Sequence, residues 1–194
     1  MLKAVAEARK SVYLHCYLLD HVDMVKVLLN HFDKQLQIYI IFDKQQFMSP
    51  SSTMQPIRVE SLFVKNVNMR VFTPIKTAAG WPSCHTKAII VDEKIVVNGS
   101  MNPTTNGAVN NKEHVTVIRS IEDAAFFTDD YWKTWSMAEP VTRQMVDKAI
   151  GNKKKTSRVL DAEFEEATSD RSRKPAVIHN RKLSRGRSLV SSSA

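Results

Sequence analysis

Apolar positions along the chain fall into two rhythms. Continuous apolar runs at 11–19 (SVYLHCYLL) and 36–42 (LQIYIIF) predict strands buried on both faces. Between them Val22, Val25, Leu28, Leu29 and Phe32 recur at helical spacing, behind Asp20 as a predicted N-cap. Strand, helix and strand within about thirty residues predict a βαβ unit and a parallel sheet. Residues 44–56 lack periodicity and predict a loop, and a weaker pattern of Ile57, Leu62 and Val64 predicts a helix over 57–66. Segment 69–72 (MRVF) predicts a third strand, followed by a turn-rich loop over 73–82. Segments 85–92 and 95–100 predict a hairpin closed by Glu93-Lys94, which is not a favoured two-residue turn pair. Segment 113–119 alternates as a strand, and 122–137 is an amphipathic, aromatic-rich helix. The fold class implied is α/β: a mixed β-sheet flanked by helices, one domain per chain.

Composition divides the chain in two. Residues 1–150 carry 17 Lys+Arg against 15 Asp+Glu, while residues 151–194 carry 11 against 5. A nearly neutral domain over 1–150 therefore precedes a basic, Ser/Arg-rich tail over 151–194, expected to be disordered apart from a short acidic helix near 159–167. Such a tail suits polyanions, although a solvated tail is the commoner outcome for a charge run. No apolar run reaches about 18 residues, so no membrane-spanning helix is predicted, and the N-terminus lacks the pattern of a secretory signal. Two cysteines, Cys16 and Cys84, are too few for a disulfide framework or a cysteine-rich zinc site.

One stretch concentrates chemistry. Residues 85–92 read HTKAIIVD and residues 99–102 read GSMN. Alternation along a strand puts His85 and Lys87 on one face, and Ser100 and Asn102 on one face. With Glu93-Lys94 as a two-residue turn, Lys87 lies opposite Ser100 and His85 opposite Asn102, about 5 Å apart at Cβ. Glu113, at the start of the next strand, is a polar candidate to join them. An imidazole is a nucleophile and proton carrier near neutral pH, and an ammonium and an amide can hold non-bridging phosphate oxygens. No carboxylate cluster accompanies them, so a two-metal site is not expected and no cofactor is called for. Asp92 falls on the opposite face beside the turn and reads as a structural residue, bonding turn amides. Chance matches to H-x-K-x4-D in a chain of this composition number roughly 0.03.

Other residues have simpler readings. Cys84 points away from His85 and reads as a small core residue, and His15 and Cys16 read as core packing. His21, His31 and His114 read as surface or strand-end histidines. Trp81 could line a groove or stack on a base, or merely pack. Phe126, Phe127, Tyr131, Trp132 and Trp135 read as facing the core or a dimer interface.

H-x-K-x4-D followed by G-S-x-N resembles the signature of the phospholipase D superfamily. With one copy, the chain resembles the single-motif branch, which includes bacterial endonucleases and mitochondrial cardiolipin hydrolases of the Zucchini type. GSMNPTTNGAVNNKEHV, residues 99–115, is especially similar to the eukaryotic group, and the resemblance spans roughly residues 5–138. It implies that His85 is the nucleophile of a phosphohistidine intermediate, that Lys87 and Asn102 grip the phosphate, that Ser100 supports them and that Glu113 orients His85. It also implies a homodimer whose two His85 rings meet near the two-fold axis, and a reaction without metal. Eukaryotic members begin with a membrane anchor and some carry a zinc module; neither is seen here, and the chain is expected to be an N-terminally trimmed version. Pro103 stands where a larger residue is usual, which implies an altered groove. The expected activity is a metal-independent phosphodiesterase, acting as an endonuclease on single-stranded nucleic acid or as a cardiolipin hydrolase. Nucleic acid is preferred for want of a membrane-insertion segment. The rival reading is an inactive nucleic-acid or membrane-surface binding protein retaining the fold. The compartment implied is the cytoplasm, or by resemblance the mitochondrial surface.

Overall fold

In a computed structural model, which describes residues 1–50, 54–75, 78, 80 and 82–152, one seven-stranded sheet carries the chain. Three parallel strands, β1 (Ser11–Cys16), β2 (Gln37–Asp43) and β3 (Asn68–Phe72), lie side by side. The chain then crosses back to the other side of β1. There β4 (Ala88–Val91), β5 (Ile95–Gly99) and β6 (Val115–Arg119) follow as an antiparallel meander. A two-residue strand, β7 (Glu139–Pro140), pairs with β3, giving the order β6-β5-β4-β1-β2-β3-β7. The mixed sheet expected from the sequence is therefore observed.

The helices are α1 (Leu2–Ala6), α2 (Val22–Asp33), α3 (Lys44–Met48), α4 (Gln55–Phe63), α5 (Thr105–Val109) and α6 (Ile121–Met137), and residues 143–152 are also helical. Strand alternation sorts the core into two layers. Val12, Leu14, Ile38, Ile40, Phe42, Ile89 and Val97 pack with Val5, Leu28 and Leu62 from helices on one face. Tyr13, Ile41, Ile90 and Val96 pack with Ala124, Tyr131, Trp132 and Trp135 of α6 on the other. Helices on both faces explain why β1 and β2 read as continuous apolar runs and not as alternating ones.

Several local expectations are corrected. The first strand ends at Cys16, not at residue 19. Asp20 does not cap α2, whose N-cap is His21 without a side-chain bond; Asp20 Oδ1 accepts from Thr105 N at 2.9 Å, at the start of α5. Part of the predicted 44–56 loop is α3, capped by Asp43, whose carboxylate accepts from Gln46 N at 2.7 Å. His31 is buried, not superficial, and its Nε2 donates to the Val5 carbonyl at 2.8 Å. Phe126 projects from α6 with 74% of its surface exposed, so of the two readings, core or dimer interface, the core is excluded. The tail from residue 153 onward, with its acidic segment near 159–167, lies outside the described residues, as does Trp81; Gly151 and Asn152 are helical.

Candidate active site

The order of the strands reverses at β1. The chain leaves β1 toward β2 and β3, then returns to β4 on β1's other side, so the connections after β1, β2, β3 and β5 all emerge at one end of the sheet. In sheets with parallel strands such a switch point is where ligands bind. His85 and Lys87 lie just ahead of β4, and Ser100 and Asn102 just after β5, at that end.

The hairpin register differs by one step from the sequence expectation. Ala88 pairs with Asn98 and Val91 with Ile95, closing a three-residue loop of Asp92, Glu93 and Lys94. Asp92 and Glu93 both have φ of 54°, and Lys94 N donates to the Val91 carbonyl at 3.0 Å. A left-handed pair of non-glycine residues gave no glycine or asparagine signal to read. Lys87 thus faces Gly99, whose N–H reaches the Lys87 carbonyl at 3.4 Å, and not Ser100. Residues 85–87 precede the strand and are not part of the ladder, so the His85–Asn102 pairing expected of an extended hairpin does not form.

The five residues nevertheless stand at the same end of the sheet. His85 is exposed, with its ring centroid 5.0 Å from that of Tyr17. Lys87 is buried; its Nζ donates to the His85 carbonyl at 2.6 Å and lies 5.6 Å from the Tyr17 ring centroid. Burial draws the Lys87 ammonium below the ordinary lysine value, against the opposing influence of Cys16, Glu113 and Cys84. Ser100 Oγ donates to Glu113 Oε2 at 2.5 Å and accepts from His114 N at 3.1 Å. Asn111 Nδ2 donates to the other Glu113 oxygen at 3.0 Å. The bonds from Ser100 and then Asn111 hold the Glu113 carboxyl below its usual range. Glu113 directs its oxygens at Ser100 and Asn111 and not at the His85 ring, which leaves the orienting role implied by resemblance without a direct contact. Asn102 Oδ1 accepts from Leu18 N at 3.3 Å, so its amide nitrogen remains available to a ligand.

Two residues are essential to this geometry and went unnoticed in the sequence. Asp43 is buried at the end of β2, and its Oδ2 accepts from Cys84 N at 2.8 Å, fixing the backbone one residue before His85. Tyr17 follows β1 directly and donates from its hydroxyl to Gln46 Oε1 at 2.9 Å. The readable signal was position: both stand at the carboxyl ends of parallel strands, beside the switch point.

Cys84 is buried as expected, with Sγ 2.9 Å from His15 Nε2. Burial pushes the Cys84 thiol up to about 12 and draws His15 down to about 4, so both are neutral near pH 7. Asp92 stands at the opposite end of β4. Its carboxylate accepts from the amides of Arg9, Lys10 and Ser11 at 2.7–3.1 Å, so it secures the entry to β1 and not the amides of its own turn.

Residues 1–135 match the family described as "Cardiolipin synthase, PLD-like domain". The chain belongs to the PLD-like domain family. Among curated relatives of this family, it is 26% identical over 136 residues to a mitochondrial cardiolipin hydrolase of Chlamydomonas reinhardtii, covering 70% of this chain and 56% of that protein. It is 27% identical over 128 residues to a phospholipase D of Rickettsia bellii, covering 66% and 56%. The chain thus spans little more than half the length of these relatives. Among solved structures, NucT from Helicobacter pylori superposes with a TM-score of 0.65 at 21% identity, covering 72% of this chain and 87% of that one. Nuc from Salmonella typhimurium, a phospholipase D family member, gives 0.61 at 22% identity over the same shares. These likenesses establish the PLD-like fold. Among the described residues, no helix is long and apolar enough to cross a membrane.

Proposed function

We propose that the chain is a phosphodiesterase in which the His85 imidazole attacks phosphorus. The observation that carries this reading is the pairing of an exposed His85 ring with a buried Lys87 ammonium two positions along the same segment. An imidazole nitrogen forms a P–N bond as the P–O bond to the leaving group breaks. The leaving oxygen takes a proton from a second, protonated imidazole. Water then attacks the phosphohistidine, giving up a proton to that second imidazole, and the P–N bond breaks to free His85. Lys87 and the Asn102 amide would neutralise charge on the non-bridging oxygens throughout, which is the task a metal performs in other phosphodiesterases.

The scheme needs two imidazoles, and the described site offers one. A second copy of the chain supplies the other. In support of a homodimer, Val115 and Val117 on edge strand β6, next to Glu113, are 36% and 46% exposed. The substrates that fit are single-stranded nucleic acid and an anionic phospholipid such as cardiolipin, and the basic segment 151–194 suits either polyanion. Nucleic acid is preferred, since no described helix offers a membrane span. The relatives named as mitochondrial cardiolipin hydrolases support a mitochondrial-surface setting as the lipid alternative.

The test is turnover of bis-p-nitrophenyl phosphate in EDTA by the wild type and by His85→Asn. We expect chelator-resistant turnover that falls by about a thousand-fold or more in the variant, because the nucleophile is gone. Equal rates, or no turnover at any pH, would reject the reading and leave a binding role. Labelled single-stranded RNA and DNA, compared with cardiolipin vesicles under the same control, decide the substrate.

A further inference from the structure

The Tyr17 ring lies beside both principal groups of the site. Its ring centroid is 5.0 Å from the His85 ring, tilted by 59°, and 5.6 Å from Lys87 Nζ. The ring is itself anchored: its hydroxyl donates to Gln46 Oε1 on α3. That helix is capped by Asp43, whose other oxygen accepts from Cys84 N. Asp43 therefore stands behind both supports of His85, the aromatic one through Gln46 and Tyr17 and the backbone one through Cys84. An exposed imidazole three residues ahead of β4 has no ladder to fix it, so its orientation depends on such neighbours.

We propose that Tyr17 is a positioning residue, whose ring aligns the His85 imidazole for attack and favours the charged form of the neighbouring Lys87 ammonium. The proposal deepens the phosphodiesterase reading and rests on it only for its kinetic consequence. An aromatic face attracts a cation within about 6 Å, and more strongly when the pair is shielded from water. Lys87 is shielded, and burial already weakens its hold on a proton. Around it stand Cys16 from β1, Cys84 and His85 from the segment before β4, and Glu113 from the segment before β6, with Asp43 behind Tyr17 and Cys84. The Tyr17 quadrupole supplements the attraction of Glu113 for the ammonium.

The sign follows directly. Removing the ring favours neutral Lys87, so its midpoint moves down and activity fails at a lower alkaline pH. Phenylalanine keeps the ring and loses only the tie to Gln46.

The experiment uses the full chain with Tyr17→Phe, Tyr17→Leu, and pentafluorophenylalanine at position 17, which keeps the ring's shape and reverses its quadrupole. Titration of Lys87 is followed by side-chain 15N NMR, and bis-p-nitrophenyl phosphate turnover gives kcat and KM. Tyr17→Phe should keep the Lys87 midpoint and most of kcat. Tyr17→Leu should raise the Lys87 acid dissociation constant about two- to five-fold, and lower kcat about ten-fold or more with little change in KM. The fluorinated ring should reproduce the Lys87 change in a side chain of unchanged shape, which keeps the proposal open to refutation if the leucine variant fails to fold. An unchanged Lys87 midpoint in the fluorinated protein overturns the proposal, and so does a phenylalanine variant as impaired as the leucine one. If the wild type hydrolyses nothing, the phosphodiesterase reading falls, while the Lys87 titration still judges Tyr17.

Discussion

Asp92 keeps the motif's spacing to His85 and Lys87 but sits at the far end of β4, where its carboxylate receives the amides of Arg9, Lys10 and Ser11. These three donors belong to the entry of β1, the strand at the centre of the sheet. A charged acceptor bonded to several amides contributes more than a neutral pair, and its loss strands those donors. Asp92→Ala should therefore lower stability by about 2–3 kcal/mol in urea unfolding, while turnover per folded molecule stays near that of the wild type. A large loss of kcat in protein shown to be fully folded would place Asp92 in the chemistry instead. At this scale the sequence was informative wherever the chemistry itself restricts the residue: His85, Lys87, Ser100, Asn102 and Glu113 all stand at the site end of the sheet. It was silent on Asp43 and Tyr17 and assigned Asp20 to the wrong helix, because their partners are distant in the chain. Asp43 meets Cys84 across 41 positions and Asp20 meets Thr105 across 85. Nothing local distinguishes these carboxylates from solvated ones.

Elements were legible in proportion to their burial. β1, β2 and the aromatic-rich α6 stand out because each must hide a wide apolar surface, whereas α1 and α3, five residues each, are shorter than any periodicity can register. The hairpin of β4 and β5 was legible as a hairpin but not in register, since the left-handed Asp92 and Glu93 add a residue to the loop. Register matters here because β5 ends in Gly99, which feeds directly into Ser100. A methyl group on Gly99 would lie 2.0 Å from the His114 carbonyl oxygen, which itself accepts from Ser100 N at 3.0 Å. That neighbour is backbone immediately ahead of β6, tied to Ser100 N, and cannot swing aside as a side chain could. Gly99→Ala should cost about 2 kcal/mol or more. It should also separate Ser100 from Glu113, so that turnover falls even well below the melting temperature. Wild-type stability and turnover in this variant would mean that the β5–β6 edge is softer than its packing implies.

For the whole molecule, one site imidazole per chain, His85, is the governing constraint of the proposed scheme. Each transfer in the proposed scheme uses one ring as nucleophile and another as proton donor, and a two-fold axis brings identical surfaces together, so the same residue can serve both roles. Uncovered Val115 and Val117 beside Glu113 give such an axis an apolar seat near the site. The dimer can be tested without a structure of it. Wild-type and His85→Asn chains, unfolded together in equal amounts and refolded, redistribute at random, so about a quarter of the dimers carry two histidines. If both rings are needed for each turnover, activity should be about a quarter of that of an all-wild-type sample at the same total concentration. Independent subunits would instead retain about a half. The two expectations differ by a factor of two and share every other assumption, including any loss on refolding, which an all-wild-type control corrects. A result near one half, with the mixed species shown to be present by mass, would move the second proton carrier from the partner into the same chain. The imidazoles of His15, His21, His31 and His114 would then have to be tested in turn, beginning with His114, whose backbone amide already donates to Ser100.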